Sequence, residues 1–175
     1  MMARVERLGP EMHQNILVPL DGSELAECVF PHLRALVRPG HTHVHLLSVL
    51  TLGLGDRTVA LLTTYPPGLQ LSTTVMARAQ VELRSYLQGV AARVREWGAV
   101  VRYEVREGNP AEEILRYAEE QGIDLILMGT HGLSGLGRWV YGSVADRVLR
   151  GAPCPVLLVR PQRPESGTQN TERRT

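Results

Sequence analysis

The chain has 175 residues, 43% hydrophobic and 21% charged, the composition of one soluble globular domain with a real core. Nineteen basic and eighteen acidic residues leave a formal charge of +1, so there is no electrostatic footprint for nucleic acid or an anionic membrane surface. No run approaches the ~18 apolar residues of a membrane span, and residues 1–14 lack the apolar core of a signal peptide, so a cytoplasmic protein is expected by elimination.

Residues 1–13 form a polar N-terminal extension, and the ordered pattern starts at residue 14. Asn15–Leu20 (NILVPL) is a short apolar run, read as a strand that stops at Asp21-Gly22-Ser23. Ser23 followed by Glu24 makes a helix cap and first turn. Leu25, Val29, Leu33, Leu36 and Val37 follow at helical spacing, with Pro31 predicted to kink the helix and Pro39-Gly40 to end it. The buried thiols expected of Cys28 and Cys154, which sit among apolar neighbours without CxxC spacing, follow from the same pattern. His43–Leu50 (HVHLLSVL) reads as a second buried strand; His41, His43 and His45 alternate along its entry and share one face, with too few further ligands for a metal site. Ser48 has no identifiable base beside it and is no nucleophile candidate.

Residues 51–72 are poorly periodic and rich in Gly and Pro, a loop long enough to expect a role of its own. Residues 73–97 carry a strong helical repeat through Met76, Ala79, Leu83, Leu87, Val90, Val94 and Trp97, the spacing of core packing. Val101, Tyr103 and Val105 then alternate with Arg102, Glu104 and Arg106, a strand with one wet face and so a sheet edge. Asn109 caps the next helix with Pro110 in its first position; Ala111, Ile114, Leu115 and Ala118 form its buried stripe and Gly122 ends it. Asp124–Met128 (DLILM) is an apolar strand running into a glycine-rich loop, residues 129–143, which leads to a helix over about 142–150 and a last strand, Pro155–Arg160. Residues 162–175 form a polar tail.

Strands apolar on both faces alternating with helices predict an α/β fold, a doubly wound parallel sheet covered on both sides. In such a fold ligands bind beyond the carboxyl ends of the strands. Three segments arrive there: Pro19, Leu20 and Asp21 onward, Val49 onward, and Gly129 onward. Glycines lacking a Cβ let backbone N–H groups approach an anion, and Gly142-Ser143 stands at a helix start, where unpaired N–H groups and the dipole favour phosphate. Three or four charged hydrogen bonds of about 1.5–3 kcal/mol each, with an adenine in an apolar slot, reach micromolar affinity, about −8 kcal/mol. The sequence has neither GxxxxGK[ST] nor a GxGxxG with an acidic residue about 20 positions on. On composition alone the same loop also reads as an ordinary strand-to-helix connection.

Gly129, Gly132, Gly142 and Ser143 fit the Gly-x2-Gly-x9-Gly-Ser/Thr nucleotide motif of the universal stress protein family, and the flanking NILVPLDGSELAE, DLILMGTHG and GSVADRVLRGAPCPVLLVRP resemble that family as well. The resemblance covers residues 14–161 and implies one nucleotide-binding domain, a five-stranded parallel sheet ordered 3-2-1-4-5, of the adenine nucleotide alpha hydrolase-like kind. It implies that Asp21 meets the ribose, that the backbone of Val49 meets adenine, and that the glycines, Ser143 and Val144 hold phosphates. The ligand implied is ATP, with Mg2+ bound through the phosphates, or AMP or another adenine nucleotide. Continuously apolar Val156, Leu157, Leu158 and Val159 would then form an edge strand, and the resemblance implies a homodimer paired through it. Inside the loop, His131 reads first as a solvent-facing turn residue, and His131 and Arg138 are weaker candidates for phosphate contact.

Phosphoryl transfer needs a positioned metal, an orienting residue for the nucleophile and charge stabilisation. The sequence supplies a phosphate cradle without a recognisable lysine or paired carboxylates for the rest, so no catalytic residue is assigned. The expected function is a nucleotide-dependent stress-response dimer. Slow ATP hydrolysis or autophosphorylation, and a dimerisation module in which nucleotide is only structural, stand as alternatives.

Overall fold

A computed structural model describes residues 13–51, 73–130 and 142–161. Five strands, β1 (Asn15–Pro19), β2 (His43–Leu50), β3 (Val100–Glu107), β4 (Leu125–Gly129) and β5 (Val156–Val159), form one sheet in the order β3-β2-β1-β4-β5. Every pairing is parallel. The helices are α1 (Glu24–Glu27), α2 (Phe30–Leu36), α3 (Thr73–Arg95), α4 (Pro110–Glu120) and α5 (Ser143–Gly151).

Alternate residues of the central strands enter opposite cores. Ile16 and Val18, Val44 and Leu46, and Leu125 and Leu127 pack with Val29 and Leu33 of the first helical segment and with Leu87, Val90 and Val94 of α3. Leu17, Leu47, Ile126 and Met128 face the other way, against Ala111, Ile114 and Tyr117 of α4 and Ala145 and Val148 of α5. Both faces of β1 and β4 are therefore dry, which is why their sequences are unbroken apolar runs.

The first predicted helix is two helices. Ser23 caps α1, its Oγ accepting the Ala26 amide at 3.1 Å. The chain then restarts at Phe30, with Pro31 in the first turn of α2. Proline lacks an amide and is tolerated in a first turn, so a break just before it replaces the expected kink. Asn109 caps α4 as expected, accepting the Ala111 and Glu112 amides at 3.1 and 3.3 Å. The buried side of α4 is wider than its apolar stripe: Glu113 and Tyr117 are buried and Leu115 only half so. Cys28 and Cys154 are half-buried, not fully buried as expected, because each lies in a short connection at the margin of a core.

One clamp fixes the opposite end of the sheet. Asp124, just before β4, accepts the Gln14 and Asn15 amides on Oδ2 at 2.8 and 2.9 Å and so sets where β1 begins. Among the described residues no helix is long and apolar enough to cross a membrane. The segment 52–72, the N-terminal extension and the polar tail lie outside the described residues.

Candidate functional site

The parallel register brings three chain segments to one rim. Pro19 is level with Leu47, and the ladder extends one residue further through the Leu20 amide, which donates to the Leu47 carbonyl at 2.8 Å. Beyond it, Asp21 and Gly22 are exposed and the chain turns into α1. Gly22 has a φ of 77°, a left-handed conformation that glycine adopts without steric cost. The Asp21 carboxylate lies in that turn, Oδ1 accepting the Ser23 amide at 2.8 Å. The helix cap is Ser23; Asp21 shapes the turn before it. On the neighbouring strand Val49 is half-buried, one residue before the end of β2.

β4 enters the same rim from the other side of β1. Gly129 is its last residue, level with Val159, and the Thr130 amide continues the ladder to the Val159 carbonyl at 2.9 Å. A Cβ on Gly129 would lie 3.0 Å from the Leu25 carbonyl oxygen and 3.2 Å from Cys28 Sγ. The missing side chain at this position therefore lets α1 close on the end of β4, a packing reason that the loop motif alone does not reveal. Gly132, His131 and Arg138 lie outside the described residues.

α5 starts at the same end of the sheet. Arg147 in its second turn reaches Glu112 in the first turn of α4 at 2.8 Å, and α4 begins just past the carboxyl end of β3. Gly142 is the N-cap of α5 and has no side chain to spend on the first-turn amides. Ser143 is exposed and Val144 half-buried. A helix start built this way offers backbone N–H groups and a positive dipole end to an anion. Asp146, one turn on, would oppose an anion. Its carboxylate is drawn back along the helix by Arg150 at 3.0 and 3.1 Å, whose hydrogen bonds hold it below the usual carboxylate range.

Two buried polar residues stand out against this frame. Ser48, inside the apolar run of β2, donates to the Leu20 carbonyl at 2.8 Å. His45, three residues before it, bonds Tyr117 Oη through Nδ1 at 3.0 Å, whereas His41 and His43 are exposed. The three alternating histidines thus do not act as a set: burial assigns His45 to the core beneath α4. A polar letter in an apolar strand was the only sequence signal for Ser48, and it does not say which carbonyl the hydroxyl would find.

The comparisons with known proteins agree with the fold. The model of the universal stress protein family matches residues 12–160. The chain is 32% identical to a universal stress protein of Methanocaldococcus jannaschii, over 91% of this chain and 89% of that protein. A solved structure of a second protein of that organism, the subject of a structure-based assignment of biochemical function, has a TM-score of 0.70 at 28% identity and covers 86% of this chain and 98% of its own. A universal stress protein family structure from Arabidopsis thaliana, with AMP bound, has a TM-score of 0.59 at 14% identity, over 89% of this chain and 97% of its own, and is a likeness of fold. With a family model spanning nearly all the described residues, this chain belongs to the universal stress protein family.

Proposed function

We propose that the chain binds an adenine nucleotide, ATP in the first place, across the carboxyl ends of β1, β2 and β4, and acts as a nucleotide-dependent stress-response homodimer. The observation that carries the reading is the meeting of three chain segments at one rim: the carboxylate turn at Asp21, the strand end at Val49, and the start of α5 at Gly142-Ser143, where no side chain caps the first-turn amides. Asp21 would take the ribose hydroxyls, the Val49 backbone the adenine edge, and the amides of Ser143 and Val144 with the Ser143 hydroxyl the phosphates. Gly129 and Gly132 complete the loop motif, Pro19 and Leu20 the floor. Mg2+ would be held through the phosphates. The AMP held by the Arabidopsis relative supports the ligand class.

Denaturing the purified protein and identifying the released nucleotide tests the ligand directly. ATP titration should give heat and a rise in melting temperature. Ser143→Ala should weaken binding about tenfold, the loss of one hydrogen bond to a charged group. Gly142 has a φ of −55°, open to any residue, so Gly142→Ala adds a methyl group at the helix start without straining the backbone. Failure of ATP to produce heat or a melting shift, with both variants behaving like the parent, sinks the reading. Hydrolysis above background that disappears in the same variants would make the protein an enzyme.

A further inference from the structure

We propose that Ser48 is the positioning residue for the sugar side of the site, acting through Leu20 on Asp21; the inference rests on the adenine-nucleotide reading above. Ser48 is 1% exposed and flanked by Leu46, Leu47, Val49 and Leu50. A hydroxyl buried in such a run is costly unless it is bonded. Its Oγ donates to the Leu20 carbonyl at 2.8 Å, while the Leu20 amide donates to the Leu47 carbonyl at 2.8 Å. These two groups belong to the peptide planes on either side of the Leu20 Cα. Together they fix both torsions of Leu20, the last residue held by the sheet before Asp21.

The consequence is directional. The amide bond alone would leave the Leu20–Asp21 peptide to rotate about ψ, and that rotation swings the exposed Asp21 carboxylate across the rim. The turn beyond, with Gly22 at a φ of 77° and the Asp21 Oδ1 bond to the Ser23 amide, is internally fixed and would move as a unit. The Ser48 hydroxyl is the tie that aims this unit from β2, the strand that also carries Val49. It touches no ligand itself.

The test uses the full chain with Ser48→Ala and Ser48→Thr, the second keeping the hydroxyl. Without nucleotide, amide hydrogen exchange at Leu20 and Ser23 should quicken about tenfold in Ser48→Ala, stay at the parent rate in Ser48→Thr, and remain unchanged in both at Leu17 and Val18. Binding of ATP is then compared with its 2′-deoxy and 3′-deoxy forms. The parent should favour ATP over at least one of them by about fivefold, the worth of one hydrogen bond. Ser48→Ala should lose that preference but keep the parent's preference for ATP over adenosine, since the phosphate contacts lie on α5; Ser48→Thr should restore it. Unchanged exchange at Leu20 and Ser23, or unchanged sugar discrimination in Ser48→Ala, overturns the assignment while leaving the nucleotide reading standing. A parent that takes up no ATP overturns both.

Discussion

At one edge of the sheet, β3 shows Arg102, Glu104, Arg106 and Glu107 along eight residues; at the other, β5 is the four-residue apolar run Val156–Val159. The charges of β3 are tied inward. Arg106 pairs with Glu104 at 2.8 Å and Glu120 at 2.6 Å, lies 3.8 Å from the buried Glu113, and stacks over the Tyr117 ring at 4.6 Å. Arg116 also binds Glu113. An edge strand that carries this many charges does not invite another strand. β5 itself carries no charged side chain, and Leu157 is 40% exposed. The difference is the one that the proposed homodimer calls for: a charged edge on β3, whose Arg106 is bound to α4, and an apolar edge on β5 for the partner.

The largest effect should come from charging the open edge. Leu157→Glu should weaken self-association about 100-fold or more, two buried unpaired carboxylates per dimer costing about 3 kcal/mol or above, and the chain should stay folded because the side chain is already part-exposed. Sedimentation velocity across a dilution series reads this. Arg102→Glu on the opposite edge should leave assembly as it is; if it, rather than Leu157→Glu, separates the protomers, the roles of the two edges are reversed.

Next in size is the lock on β3. Glu113→Ala leaves Arg106 and Arg116 facing a gap where their shared, buried carboxylate stood, and should lower stability by about 2–3 kcal/mol. Urea unfolding should show a lower midpoint at an unchanged slope, and dimer affinity should not move. Arg106→Lys should cost less, about 1 kcal/mol, keeping the charge but losing the forked contacts to Glu104 and Glu120 and the stacking on Tyr117.

The smallest effect is a pH dependence on the β3 side. Burial, helped by Arg102 and His43 and opposed by Asp124, lowers the His45 pKa from its ordinary 6.5. The unfolded chain therefore takes up the proton first. The associated stability is fully present above 6.5 and is lost as pH falls below it. Thermal melts between about pH 7.5 and 5 should show a larger decline for the parent than for His45→Asn, which has no charge to gain. Equal declines would place the acid sensitivity elsewhere.

Much of this protein was legible as text because the signals are local. β2 has the bounds its apolar run predicted, Ser23 and Asn109 cap the helices they precede, and the alternation from Val101 to Arg106 marks an edge strand. Each depends on neighbours within a turn or a pleat. The resemblance carried by the glycine motif supplied the strand order. Less of the site could be read this way. That Gly129 answers to α1 depends on Leu25 and Cys28, distant in sequence; that Ser48 serves Leu20 depends on the pairing of β1 with β2. Glu113 lies outside the stripe Ala111, Ile114, Leu115 and Ala118 read from the sequence, yet it is buried, with Arg106 of β3 3.8 Å away.

The sequence by itself determined the alternation of strands and helices, the stripe of α3 and the caps, because period, propensity and turn chemistry act between residues a few positions apart. Only the tertiary structure decided which polar groups would be buried together. A hydroxyl or carboxylate in a dry interior must find its partner on another element, and that partner is set by strand register and helix placement.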